Sequence, residues 1–172
     1  MAVLPIIHVP SPVLKEVAQP VQEITADILR QLDDMAETMY EAPGIGLAAP
    51  QIGMLNRLIV MDCADDGEAP ELWQMINPEI IHLSDETSEL TEGCLSIPGH
   101  TASVTRPAEV KVRFMTPKGA VEEIQATGLL AACVQHEIDH LNGVLFIDHL
   151  SRLKKNMIWR KVLKESKSRG ED

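Results

Sequence analysis

Gln135-His136-Glu137-Ile138-Asp139-His140 is the stretch on which the reading of this chain turns. It contains His-Glu-x-x-His. Leu129, Leu130, Ala132, Cys133, Val134 and Leu141 surround it with apolar cover, and Gly143 offers a stop, so the spacing predicts a helix over 127–141. Residues four apart lie on one helix face, a turn above one another. His136 and His140 can therefore turn their rings toward one cation. Glu137 sits about 100° further round the helix, beside such an ion rather than on it. From there its carboxylate can take a proton from water and give it away.

Two histidines do not complete a catalytic metal site, which takes three protein ligands and an open position. Six residues after His140, where one protease pattern would place a third histidine, stands Phe146. Glu165 lies in a charged tail, and His149 lies in a loop before the last helix. Upstream, Glu92-Gly93-Cys94-Leu95-Ser96 puts a thiol after a glycine that permits a tight turn, and a thiolate suits a borderline divalent ion. The residues alone leave Cys94, His149 and Glu165 open as the third ligand.

The rest of the chain frames this helix. At 172 residues with 45% hydrophobic content, it has the size and composition of one globular domain spanning 1–172. No apolar run approaches the roughly 18 residues that span a bilayer, and the first residues carry no basic leader. Cys63, Cys94 and Cys133 are too scattered for a disulfide framework, which fits a reducing, cytoplasmic setting. A net charge of −11 argues against a general nucleic-acid binder, and no DNA partner is expected.

Thr25 is positioned to cap a helix over 26–41, where Ile28, Leu32, Met35 and Met39 recur at helical spacing. A short helix is expected around 13–17. Strands are expected over 57–62, 72–76, 80–83, 102–105, 109–115 and 120–126. Asn77-Pro78 and Pro117-Lys118-Gly119 read as turns between them. Ser151 can cap a last helix through about 167. Strands gathered ahead of a central helix indicate an α+β fold, with antiparallel β-sheets packed around the His-Glu-x-x-His helix and a C-terminal helix.

Three stretches, in order, resemble the peptide deformylase family of bacterial type: Gly44-Ile45-Gly46-Leu47-Ala48-Ala49-Pro50-Gln51, Glu92-Gly93-Cys94-Leu95-Ser96, and Gln135-His136-Glu137-Ile138-Asp139-His140. The resemblance covers nearly the whole chain. It implies Cys94, His136 and His140 as ligands of one divalent metal ion, Fe²⁺ as the native ion, with Zn²⁺, Ni²⁺ or Co²⁺ able to occupy the site. It implies hydrolysis of the formyl group from the N-terminal formyl-methionine of nascent polypeptides, with Glu137 moving the proton. The Gln51 side-chain amide and the Leu95 backbone N–H are then the oxyanion donors. Ile45 and Gly46 resemble positions that pair with an extended peptide, and Leu90, Leu129, Ala132 and Cys133 resemble the methionine pocket. Ala132 stands where bulkier aliphatics often occur, so a wider pocket is expected.

The same reading pairs Arg106 with Asp139, places Glu92 as a structural residue bonding backbone near the pocket, and leaves His100 outside the ligand set. His100-Thr101 departs from the family's usual aromatic and basic pair. From Arg152 onward, eight Lys/Arg stand against Glu165, Glu171 and Asp172. Ile158, Val162 and Leu153 form the apolar side of that segment. Two readings stay open for it: a solvated helix, or a helix docking on ribosomal RNA through phosphate contacts. A metalloprotease and a non-enzymatic nascent-chain binder are the rival functions.

Overall fold

The computed structural model of the chain describes residues 2–170; Met1 and the tail carboxylates Glu171 and Asp172 lie outside the described residues. The first helix, α1, runs Ala26–Glu41, and the Thr25 side chain accepts the Ile28 N–H as a cap. Seven strands follow: β1 (Gly46–Ala48), β2 (Leu58–Met61), β3 (Trp73–Leu83), β4 (Thr87–Cys94), β5 (Ile97–Pro107), β6 (Glu109–Met115) and β7 (Val121–Thr127). Helices α2 (Gly128–Leu141) and α3 (Arg152–Ser168) complete the order. The fold is α+β, as the sequence indicates. The expected short N-terminal helix is a 3-10 turn over Pro12–Lys15.

The strands form two antiparallel sheets, one of five strands in the order β1-β2-β3-β6-β7 and one made of the β4–β5 hairpin. All four residues of β2 are buried, because helices cover both faces of the large sheet. Leu58 and Val60 pack with Leu32, Met35 and Met39 of α1. Ile59 and Met61 pack with Ala131, Val134 and Ile138 of α2. Alternation along the strand sends successive side chains to opposite helices. A third apolar cluster joins Ile97 and Val104 of β5 to Phe146, Ile147 and Val162. Together these clusters hold α2 between the large sheet and the hairpin.

Two expectations need correction. Asn77-Pro78 does not end a strand. β3 runs straight through it, with Asn77 at φ 52° and a register shift between Ile76 and Glu79. This is a bulge, the one interior setting where a strand accepts proline. The Asn77 side chain uses it to bind the chain start: its Oδ1 accepts the Val21 N–H and its Nδ2 donates to the Val21 carbonyl, both at 2.8 Å. The second correction is a strand that pattern alone did not reveal. β4, over Thr87–Cys94, is rich in Thr, Ser and Glu. Only one of its faces is covered, and it is held by pairing with β5 from Thr87↔Pro107 to Glu92↔Ala102 and Gly93↔Thr101.

Gly143 ends α2 as expected. It adopts φ 74°, and a Cβ there would collide with the Lys15 carbonyl. The adjacent Ala18 N–H donates to the Leu141 carbonyl at 2.8 Å. The N-terminal segment thus straps the end of the helix that carries the histidines.

Candidate active site

Cys94 closes β4, and His136 and His140 project from α2 opposite it. One candidate ligand atom from each of the three lies within 4.8 Å of the others. His140 Nε2 is 3.3 Å from Cys94 Sγ. The alternatives lie elsewhere: His149 Nε2 is 2.7 Å from Asp139 Oδ2, and Glu165 pairs with His100 at 3.0 Å. Phe146 stacks beneath His136, with ring centroids 6.1 Å apart.

The donor set fits a divalent cation. Burial drives the His140 pKa well below its ordinary value, leaving the neutral imidazole that metals bind. Burial acts the same way on His136, but the Glu137 carboxylate, Cys94 and Glu92 overcome it and raise its pKa well above the ordinary value. The surroundings therefore favour a positive charge at this spot. His136 Nδ1 donates to Glu92 Oε1 at 3.0 Å, which fixes the ring and leaves the other nitrogen for an ion.

Glu92 does not bond backbone, contrary to expectation. Its carboxylate takes two bonds from Arg106, Nε to Oε2 at 2.6 Å and Nη2 to Oε1 at 2.9 Å. Burial works to raise the Glu92 pKa, yet the Arg106 and His136 bonds hold it at about 2. Arg106 reaches on to Asp139 Oδ2 at 2.9 Å, the pairing expected from sequence. A buried chain of charge runs from the hairpin to α2, and it aims His136.

Glu137 is 4% exposed, and its Oε1 has no hydrogen-bond partner among the described residues. Burial pushes its pKa up to about 7. A carboxyl near neutrality can both accept and donate a proton. Gly46 lies against it: a Cβ at that position would strike Glu137 Oε2, so only glycine lets the β1 backbone approach.

Gln51 is buried and anchored at both ends of its amide. Its Oε1 accepts the Ala48 N–H at 2.9 Å, and its Nε2 lies 3.0 Å from Ser96 Oγ and 3.6 Å from Cys94 Sγ. Ser96 was not singled out from sequence, although it closes the Glu-Gly-Cys-Leu-Ser stretch. Ile45, Gly46, Gln51, Leu90, Cys94, Leu95, Leu129, Ala132, Cys133, His136 and Glu137 all line one cavity of about 800 Å³. His140 lies behind it, 1% exposed. His100 and Thr101 also line that cavity, with His100 tied to Glu165 of α3.

The fold and these groups define a class: an α+β protein whose central helix and hairpin bring together side chains able to hold one metal ion beside a buried carboxylate. The family model for polypeptide deformylase matches residues 3–156. A peptide deformylase of Rhizobium meliloti is 52% identical over 170 residues, covering 99% of this chain and 98% of that protein. One from Phenylobacterium zucineum is 52% identical over 168 residues, covering 98% and 99%. Among solved structures, peptide deformylase from Ehrlichia chaffeensis superposes with a TM-score of 0.92 at 37% identity, covering 97% of this chain and 98% of that one. The same enzyme in complex with actinonin gives 0.90 at 39% identity, covering 96% and 98%. The chain belongs to the peptide deformylase family and is an enzyme of that kind.

Proposed function

We propose that the chain, acting as one catalytic unit over 1–172, is a metal-dependent hydrolase that removes the formyl group from the N-terminal formyl-methionine of new polypeptides and releases formate. The observation that carries this is the convergence of Cys94, His136 and His140 within 4.8 Å beside an unpartnered, buried Glu137. Cys94, His136 and His140 hold one divalent ion, with Fe²⁺ as the native choice and Zn²⁺, Ni²⁺ or Co²⁺ as substitutes. When bound, it supplies Lewis-acid chemistry, lowering the pKa of water and polarising a carbonyl.

The chain's own groups do the rest. Ile45 and Gly46 pair with the peptide backbone at the free edge of β1, as an added strand would. The methionine side chain enters between Leu90, Leu129, Ala132 and Cys133. Glu137 takes the proton of the attacking water and delivers it to the leaving amine. The Gln51 amide, held in place by Ala48 and Ser96, and the Leu95 N–H receive the negative charge that develops on the formyl oxygen. Glu92 and Arg106 keep His136 in register throughout. The enzyme works in the cytoplasm; no helix among the described residues is long and apolar enough to cross a membrane.

Formate release from a formyl-Met peptide, with metal analysis of the same sample, is the deciding assay. An acetylated peptide should remain intact, and internal peptide bonds should not be cut. Glu137→Gln should keep the metal and lose about 10²–10⁴ in kcat. Full activity in that variant would remove the proton-carrier role. The basic face of α3 supports docking on ribosomal RNA by phosphate contacts. Truncation at Ser151 should abolish salt-sensitive ribosome binding; unchanged binding would exclude this contact.

A further inference from the structure

The cleft is larger than the reacting end of the substrate requires. A cavity of about 800 Å³ suits a drug-sized ligand, and formyl-methionine is smaller than that. Pro98, Gly99, His100 and Thr101 line the same cavity, and the reaction described above assigns them nothing. They stand at a break in the hairpin. Glu92 pairs with Ala102 and Gly93 with Thr101, so an even ladder would set Cys94 against His100. Cys94 pairs with Ile97 instead. Pro98, Gly99 and His100 are thus extra residues on the β5 side, with Gly99 at φ 81°. Bulges of this kind occur beside active sites and re-aim a side chain, and their extra residues are left without ladder bonds.

His100 finds its anchor on α3. Its Nε2 lies 3.1 Å from Glu165 Oε1 and 3.0 Å from Oε2, and the ring has no other hydrogen-bond partner among the described residues. The His100 side chain is 13% exposed and that of Glu165 46%. Glu165 is the one acidic residue of α3, among seven Lys/Arg. It comes three residues after Val162 and directly before Ser166, both buried, so it sits at the inward side of the helix. The helix itself gains nothing from it there, because a carboxylate in the last turn opposes the helix dipole. α3 also has other ties to the body, Lys155 on Asp148 at 2.6 Å and Trp159 under Lys15. The bulge has no such alternative for its imidazole.

We propose that Glu165 is a positioning residue for peptide binding: by holding His100 it fixes the 98–100 bulge as a wall of the cleft, against which the residues after the methionine lie. Glu165 does not itself line the cavity, so it acts through His100. The last helix thereby sets how tightly the peptide beyond its reacting end is held, and leaves the chemistry at Glu137 alone.

The test compares formyl-Met amide with formyl-Met-Ala-Ala on full-length, metal-loaded protein. Glu165→Ala should raise KM for the longer peptide about fivefold, the upper end for a pair that is partly exposed. It should leave kcat within about twofold and the KM of formyl-Met amide unchanged. Glu165→Gln keeps an acceptor for the ring N–H and should restore most of the affinity. A merely structural tie would lower the denaturant midpoint without separating the two substrates. An equal rise in KM for both substrates, a KM unchanged for both, or a fall in kcat alone overturns the proposal. Its substrate rests on the deformylase reading, so binding is also measured without turnover. Calorimetry on Glu137→Gln protein should show the same fivefold loss for formyl-Met-Ala-Ala when Glu165→Ala is added, and none for formyl-Met amide. That length-dependent loss in a chain whose wild type releases no formate would fault the deformylase reading and leave the wall standing.

Discussion

Helices α2 and α3 are close in length, 14 and 17 residues, and opposite in character. Ten residues of α2 are buried, among them His136, Glu137 and His140. In α3 only Val162 and Ser166 are buried. α2 lies between the large sheet and the β4–β5 hairpin. Every charged group on it has to be paired or reserved for chemistry, since an unpaired buried charge is costly. α3 lies on the outside, where a lysine costs little. Its polar links to the body include Lys155 on Asp148 at 2.6 Å, Trp159 under the Lys15 ammonium at 4.7 Å, and Glu165 on His100. A charge on α2 is therefore a statement about function, and one on α3 a statement about solvent or a partner.

The sharpest way to break this contrast is at Arg106, 5% exposed and shared by Glu92 and Asp139. Arg106→Leu leaves the Glu92 carboxylate buried without its main partner. Removing one member of a buried pair costs about 3–5 kcal/mol, and the denaturant midpoint should fall accordingly. Metal affinity should fall as well, because Glu92 would no longer be held for His136. A loss under about 1 kcal/mol would mean the network behaves like a surface pair.

The second contrast lies within α3. Ile158 and Val162 face the core cluster as the sequence pattern suggests, but Leu153 does not: it is 72% exposed. The inward face holds Ile158, Trp159 and Val162 instead, and continues to the buried Ser166. Val162→Ala should cost roughly 2 kcal/mol, and Leu153→Ala under about 0.5 kcal/mol. Equal costs would show that Leu153 is covered in solution.

This difference also explains what could be read from the chain. α1 and its Thr25 cap, the span of α2 and the β6–β7 hairpin were legible because periodicity and local capping decide them. The two proposed metal ligands on α2 were legible because i,i+4 geometry is local. The third proposed ligand was not, since nothing in spacing brings Cys94 across to α2; three separate motifs were needed. β4 escaped because one-sided burial leaves little apolar alternation in Thr87–Cys94. The Glu92–Arg106–Asp139 chain was half visible. Its Arg106–Asp139 link follows from charge, but the turn of Glu92 toward Arg106 and His136 depends on the register Glu92↔Ala102, which only the folded hairpin supplies.

The smallest effect concerns a group between these extremes. Tyr40, near the end of α1, is 45% exposed, and its hydroxyl donates to Asp62 Oδ2 at 2.6 Å. Burial, then this bond and the nearby negative charge, push its pKa up to about 12. A raised acid favours the folded state fully below its ordinary value of 10.0, and that contribution fades as pH rises through the folded value. For Asp62 the sign reverses. Burial opposes it, but the Tyr40 and backbone bonds lower its pKa, so its contribution holds above the ordinary carboxyl range and is lost in acid. Tyr40 is the chain's one tyrosine, so the ultraviolet absorbance of phenolate reads it alone. The folded protein should titrate near 12, and Asp62→Asn should bring the midpoint part of the way back while leaving the effect of burial. A wild-type midpoint at 10.0 would mean that a half-exposed side chain, even with a short bond to a buried carboxylate, behaves like the solvated face of α3.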